Sequence, residues 1–146
     1  MNKLLKSISV LLLFAPIFTS GQIEVQEVKK PIEIGEVRLM GNYYGSMHYW
    51  QNKGAYQLIF RNIKYEHIIE NKYITISETD FIQLYQLIIK NIQSREKKEF
   101  ELDIAGQDVM LKFEKGKVSF WLWDGANYSI SIYFNEKQIN TLFGKW

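Results

Sequence analysis

The sequence predicts an α+β protein: an antiparallel β-sheet of about six to eight strands, ending in a β-meander, with one main helix and a short C-terminal helix packed on it. Three observations carry this expectation. Apolar and polar residues alternate at period two over much of 32–134, the spacing of half-buried strands. Phe81, Leu84, Tyr85, Ile88 and Ile92 instead recur at helical spacing,. The two helical patterns follow runs of strands rather than alternating with them, which separates the helices onto an antiparallel sheet.

In chain order, Ile32-Glu33-Ile34 alternates, and Val37-Arg38-Leu39 alternates out of phase with it across Gly35. A glycine at a phase slip predicts a β-bulge inside a first strand of about 32–40. Gly41 to Gly54 has turn residues at both ends and is rich in rings between them. It reads as an aromatic loop or a broken strand. Tyr56, Leu58 and Phe60 give the next strand. Residues 65–70 and 73–77 read as a hairpin about Asn71-Lys72, with a single helical turn at 65–70 as the alternative. Ser77-Glu78-Thr79-Asp80 offers a capping hydroxyl and negative charge to the main helix,. Ile82, Leu87 and Ile89 widen its apolar side past half the circumference, leaving Gln83, Gln86, Lys90 and Gln93 as a wet face. Such a helix must touch its own sheet and something else.

A solvated loop at 94–99 leads into the meander. Its strands are 100–104, 109–113, 118–123 and 128–134, turned at Lys115-Gly116 and Asp124-Gly125,. Asn135 and Gln138 then form the pattern of a capping box. Ile139, Leu142 and Phe143 supply the apolar side of the short helix that follows, and Gly144 ends it. Residues 74–85 and 132–143 echo each other as strand, cap, acidic residue and helix. Two β-then-α units in one pseudo-symmetric domain would give that echo, and so would any two capped strand-to-helix junctions.

Composition narrows the chemistry. The 146 residues suit one domain,, and 47% hydrophobic content is that of a globular chain,. With no cysteine, disulfides, zinc fingers, iron–sulfur clusters, thiol catalysis and a lipidated N-terminal cysteine are excluded. The first 21 residues read as a leader: Lys3 and Lys6, a mostly apolar run from Ile8 to Phe18, then Thr19-Ser20-Gly21. That layout is a secretory signal peptide, and its apolar run is too short for a membrane span. Residues 22–31 read as a short flexible leading segment, and 32–146 as a single α+β domain.

The stretch Phe18-Thr19-Ser20-Gly21-Gln22 resembles the end of signal peptides in exported proteins of the Bacteroidota. The resemblance covers those residues alone. It implies cleavage before Gln22, which can then cyclise, and a periplasmic or extracellular protein. Removing 1–21 takes away two of 18 basic side chains and none of the 16 acidic ones. The mature chain is then formally neutral, which argues against nucleic acid. No membrane span is expected in it.

No pattern of catalytic or cofactor residues emerges. His48 and His67 are the two histidines. Glu66-His67-Ile68-Ile69-Glu70 lacks the spacing of a zinc helix, and on a strand His67 and Glu70 point apart. Gly45-Ser46-Met47 is not a nucleophile elbow, and a Ser46–His48 pair has no identifiable third member. No phosphate-cradling glycine loop is present. No catalytic residue, metal ligand or cofactor is therefore expected.

The feature that rises above background is aromatic. Strand geometry sends Val118, Phe120 and Leu122 to one face of 118–123, and Ser119, Trp121 and Trp123 to the other. In the next strand Ile130, Ile132 and Phe134 go with the first face, and Ser129, Ser131 and Tyr133 with the second. A face of Trp and Tyr among small serines would leave indole rings clear for a sugar or an aliphatic chain. Alternatively, the first half of the chain or residues 43–50 cover that face and make it core. The binding residues expected are Trp121, Trp123 and Tyr133, with His48, Tyr49 and Trp50 second. The function expected is a non-catalytic binding or protein-interaction domain taking a protein or glycan partner. A large flat apolar face would instead make a homodimer. The alternative is a carboxylate-dependent hydrolase acting on an envelope or extracellular polymer, which calls for a cleft with carboxylates converging on a histidine.

Overall fold

The computed structural model describes residues 21, 23–25, 27 and 29–145. The leader expected over 1–21 lies outside them except for Gly21, and so does Gln22. The strands are β1 (Ile32–Leu39), β2 (Asn42–Trp50), β3 (Ala55–Arg61), β4 (Asn71–Ser77), β5 (Lys98–Ile104), β6 (Gln107–Glu114), β7 (Lys117–Asp124), β8 (Asn127–Ile130) and β9 (Phe134–Asn135). The helices are α1 (Glu78–Ser94), after β4, and α2 (Glu136–Leu142), after β9. The class is α+β, with one main and one short C-terminal helix. The strands are antiparallel and divide into two sheets, β1-β2-β3-β4 and β5-β6-β7-β8, with β9 paired to β7. No helix among the described residues is long and apolar enough to cross a membrane.

Tight turns set the two meanders. Met40-Gly41, Ala105-Gly106 and Lys115-Gly116 each hold two successive residues at positive φ, the geometry that matches the twist of a hairpin. Residues 42–50 are therefore a full strand rather than a loop. Gly35 sits beside a register shift in β1, and a Cβ there would run into the Thr141 carbonyl of α2. Its missing side chain lets α2 lie directly on β1.

Both caps form as their residues dictate. The Ser77 hydroxyl accepts from the Asp80 amide at 3.1 Å. Asn135 and Gln138 exchange the two bonds of a capping box, each 2.9 Å. What α1 meets explains the broad apolar side except at Ile82, which stays exposed. The helix packs against β3 and β4 of the first sheet and β6 and β7 of the second. Phe81, Leu84, Ile88 and Ile92 share one cluster with Leu58 and Ile76 from one sheet and Leu111 and Phe120 from the other.

Two expectations about strands are corrected. Residues 65–70 form neither strand nor helix, and no hairpin turns at Asn71-Lys72: β3 pairs directly with β4, Arg61 opposite Asn71. The buried Asn62 replaces the missing ladder. Its amide donates to the Glu70 carbonyl at 2.8 Å, closing the base of the 62–70 loop. Its side-chain oxygen accepts from Lys64 and Ile130, at 3.1 and 3.0 Å.

The second correction concerns phase after β7. Trp123 pairs with Tyr128 and Trp121 with Ile130, so Tyr128 and Ile130 share the tryptophan face. Ser129 lies opposite Leu122 on the core side, buried. Val118 nevertheless pairs with Phe134. Between these pairs one strand advances three residues and the other four, so an extra residue is inserted as in a bulge. Ser131 fills the break: its amide donates to the Phe120 carbonyl at 2.9 Å and its hydroxyl accepts from the Phe120 amide at 2.8 Å. Ser119 donates to the Ser131 carbonyl at 2.9 Å. Ser119 and Ser131, expected to leave room beside the indoles, instead hold the bulge closed.

Candidate functional site

The second sheet has two unlike faces. Val109, Leu111, Phe113, Val118 and Phe120 are buried toward α1. On the other face, Trp121 and Trp123 project together from β7, both half-buried. Tyr128 lies between them, its ring stacked on Trp121 with centroids 5.1 Å apart and tilted against Trp123 at 5.0 Å. A cation closes each end of the row. Lys112 Nζ stands 4.2 Å from the Trp121 ring centre and Lys64 Nζ 4.0 Å from that of Tyr128. Both distances lie inside the range of cation–π attraction. Lys112 is held in turn by Glu99, 3.5 Å away on β5. The indole N–H of Trp121 is buried and has no acceptor among the described residues.

Lys64 belongs to the 62–70 loop, which docks beside the row through a 2.8 Å bond from the Ile63 amide to the Ile130 carbonyl. The loop lifts apolar side chains into solvent: Ile69 is 78% exposed, Ile68 58% and Tyr65 48%. Lys64 also lies 5.5 Å from the Tyr65 ring, so loop and row form one continuous surface. Glu70 anchors the far end of the loop, bonded to Lys72 at 2.9 Å and to Asn62 at 3.1 Å. These contacts, Lys72 first and Asn62 second, hold the Glu70 carboxyl below its usual range.

Tyr133 does not join the row. It projects beyond the bulge beside Glu114, Lys115 and Lys117, toward the opposite end of β7 from Trp123, roughly 13 Å away at strand rise. Burial, then the carboxylates of Glu114 and Glu99, push its phenol upward.

The second group, His48, Tyr49 and Trp50, is divided by the pleat of β2. Tyr49 faces inward. It bonds the Glu78 carboxylate and begins a ring chain through Tyr56 and Phe81 to Phe143. Trp50 donates to Gln57 at 3.3 Å. His48 Nε2 lies 3.1 Å from Ser46 Oγ, which is itself 2.6 Å from the Tyr43 hydroxyl. Ser46 is 3% exposed. A hydroxyl buried and held by two partners joins side chains rather than standing open as a nucleophile. Burial raises the Tyr43 phenol; the Ser46 bond lowers it, and Glu36, Tyr73 and Glu33 raise it further.

Sequence reasoning brought Trp121 and Trp123 together and missed Tyr128, Lys64, Lys112 and the loop. Tyr128 was within reach: a two-residue hairpin loop pairs residues of opposite parity, which sets Tyr128 and Ile130 beside the tryptophans. Known proteins add nothing to the geometry: no family model, curated protein or solved structure matches the chain.

Proposed function

We propose that this chain is an exported, non-catalytic binding module that meets a partner protein through the aromatic row and the adjoining 62–70 loop. The observation that carries the reading is the row: Lys112, Trp121, Tyr128 and Lys64 stacked across one sheet face, while α1 covers the other. One covered face suffices for an antiparallel sheet, so a second apolar surface continuing onto exposed Ile68 and Ile69 calls for a contact. Such patches mark interaction sites, and Trp and Tyr dominate the energetics of interfaces. The Trp121 indole has Tyr128 and Lys112 against it, which favours a protein surface over a sugar stacked on a clear ring. Export rests on the basic, apolar and small order of residues 1–21. The hydrolase reading has weaker support, because His48 engages the buried hydroxyl of Ser46.

The test is site-specific photocross-linking in the native cell envelope. A benzophenone side chain at Trp123 or at Ile69 should give one discrete protein adduct, and the same probe at Lys137 on α2 should give none. Adding Trp121→Ala should weaken the adduct about tenfold. No adduct from either site, or the same adduct from Lys137, would overturn the proposal.

A further inference from the structure

We propose that the open edge of β5 takes up an extended peptide with alternating aliphatic and basic residues, at a site that adjoins the aromatic row through Glu99 and Lys112 but is centred on β5. β5 ends the second sheet, and among the described residues β6 is its one ladder neighbour. β4 comes close only at the Ile104 end, where Gln107, opposite Ile104, bonds the Thr75 amide and carbonyl at 3.0 and 2.8 Å. An edge strand offers unpaired amides and carbonyls to another chain. Beside this edge runs a groove of about 150 Å³ between α1 and β5, lined by Asp80, Gln83, Leu84, Leu87, Leu102, Asp103 and Ile104. A space of that size takes a branched aliphatic or benzene-sized group. A strand edge flanked by side-chain pockets is the arrangement by which peptides are recognised through strand addition.

Charge selects the occupant. Along β5 the side chains of Phe100, Leu102 and Ile104 turn toward the core and groove, and those of Glu99, Glu101 and Asp103 turn to the opposite face. A strand added to this edge follows the same alternation. Its inward residues meet the leucines of the groove and its outward ones lie next to carboxylates. Glu101 and Asp103 have no ion-pair partner among the described residues, nor has Asp80 at the groove. Among the described residues no three acidic or histidine side chains gather to hold a metal ion. A second copy of β5 is a poor occupant, because antiparallel self-pairing about Glu101 sets Glu101 against itself and Glu99 against Asp103, and like charges directly opposite repel. An aliphatic-and-lysine strand satisfies both faces.

The test titrates the folded protein with the peptide Lys-Val-Lys-Leu-Lys-Val-Lys, blocked at both ends, and follows backbone amide shifts. Shifts should concentrate on residues 98–104 and on Leu84 and Leu87. The same peptide N-methylated at alternate amides should bind at least about tenfold more weakly, since it cannot complete a ladder. Glu101→Lys, an exposed change opposite Met110, should weaken binding about three- to tenfold, and a glutamate version of the peptide should not bind. Equal binding by the N-methylated peptide, shifts centred on Trp121 and Trp123, or no saturation by the unmodified peptide would overturn the proposal.

Discussion

Asn62 is 2% exposed and bonds three strangers to its own strand: Lys64, Glu70 and Ile130. A buried amide with this many partners costs more to remove than it contributes on average, because its partners are left without bonds. Asn62→Ala strands the amides of Lys64 and Ile130. The expected loss is about 1–3 kcal/mol in a denaturant melt, with hydrogen exchange at the Ile130 amide accelerated ahead of the core. Nothing near Asn62 in sequence announces this role, since its acceptor serves a residue 68 positions away. Gly35 is the contrasting case. Its phase slip was readable as a bulge, although the reason for a glycine, the backbone of α2 lying against it, appears only in the packed structure.

At the scale of elements, legibility follows the range of the interactions. Ser77 and Asn135 cap their helices through bonds three residues long, so both helix starts could be read directly. The strand after β7 obeyed two signals that disagree. Hairpin parity places Tyr128 and Ile130 with the tryptophans, whereas alternation read back from Phe134 places Ile130 in the core. Both are satisfied because Ser131 inserts a bulge between them. The 62–70 loop escaped because its apolar residues are exposed, which alternation takes for a buried strand. Its anchor titrates. The Glu70 carboxyl is held below its ordinary value near 4.5, by Lys72 first and Asn62 second. A depressed carboxylate favours the folded form above the unfolded pKa and stops doing so as pH falls through the folded value. The loop should therefore dock tightly at neutral pH and loosen once the pH drops below about 4.5. Amide shifts of residues 63–70 followed from pH 7 to 3 should move together while those of α1 stay fixed. In Glu70→Gln that movement should disappear.

Across the whole molecule, a four-stranded meander followed by a helix, β1 to β4 with α1, is succeeded by a second meander and helix, β5 to β9 with α2. The helices tie the two together. α1 lies against both sheets and α2 lies on β1 of the first, so the core is shared. That arrangement explains the apolar side of α1 apart from the exposed Ile82, and it leaves the outer face of the second sheet to Trp121, Trp123 and Tyr128. The central claim is that this row is an outward contact surface rather than part of the core. Its most direct test is a pair of denaturant melts, on Trp121→Ala and on Trp123→Ala. An outward row held together by its own stacking predicts a loss of about 2 kcal/mol or less for each, with an unchanged m-value. Losses of roughly 3–5 kcal/mol in both, the cost of emptying a core site, would contradict it.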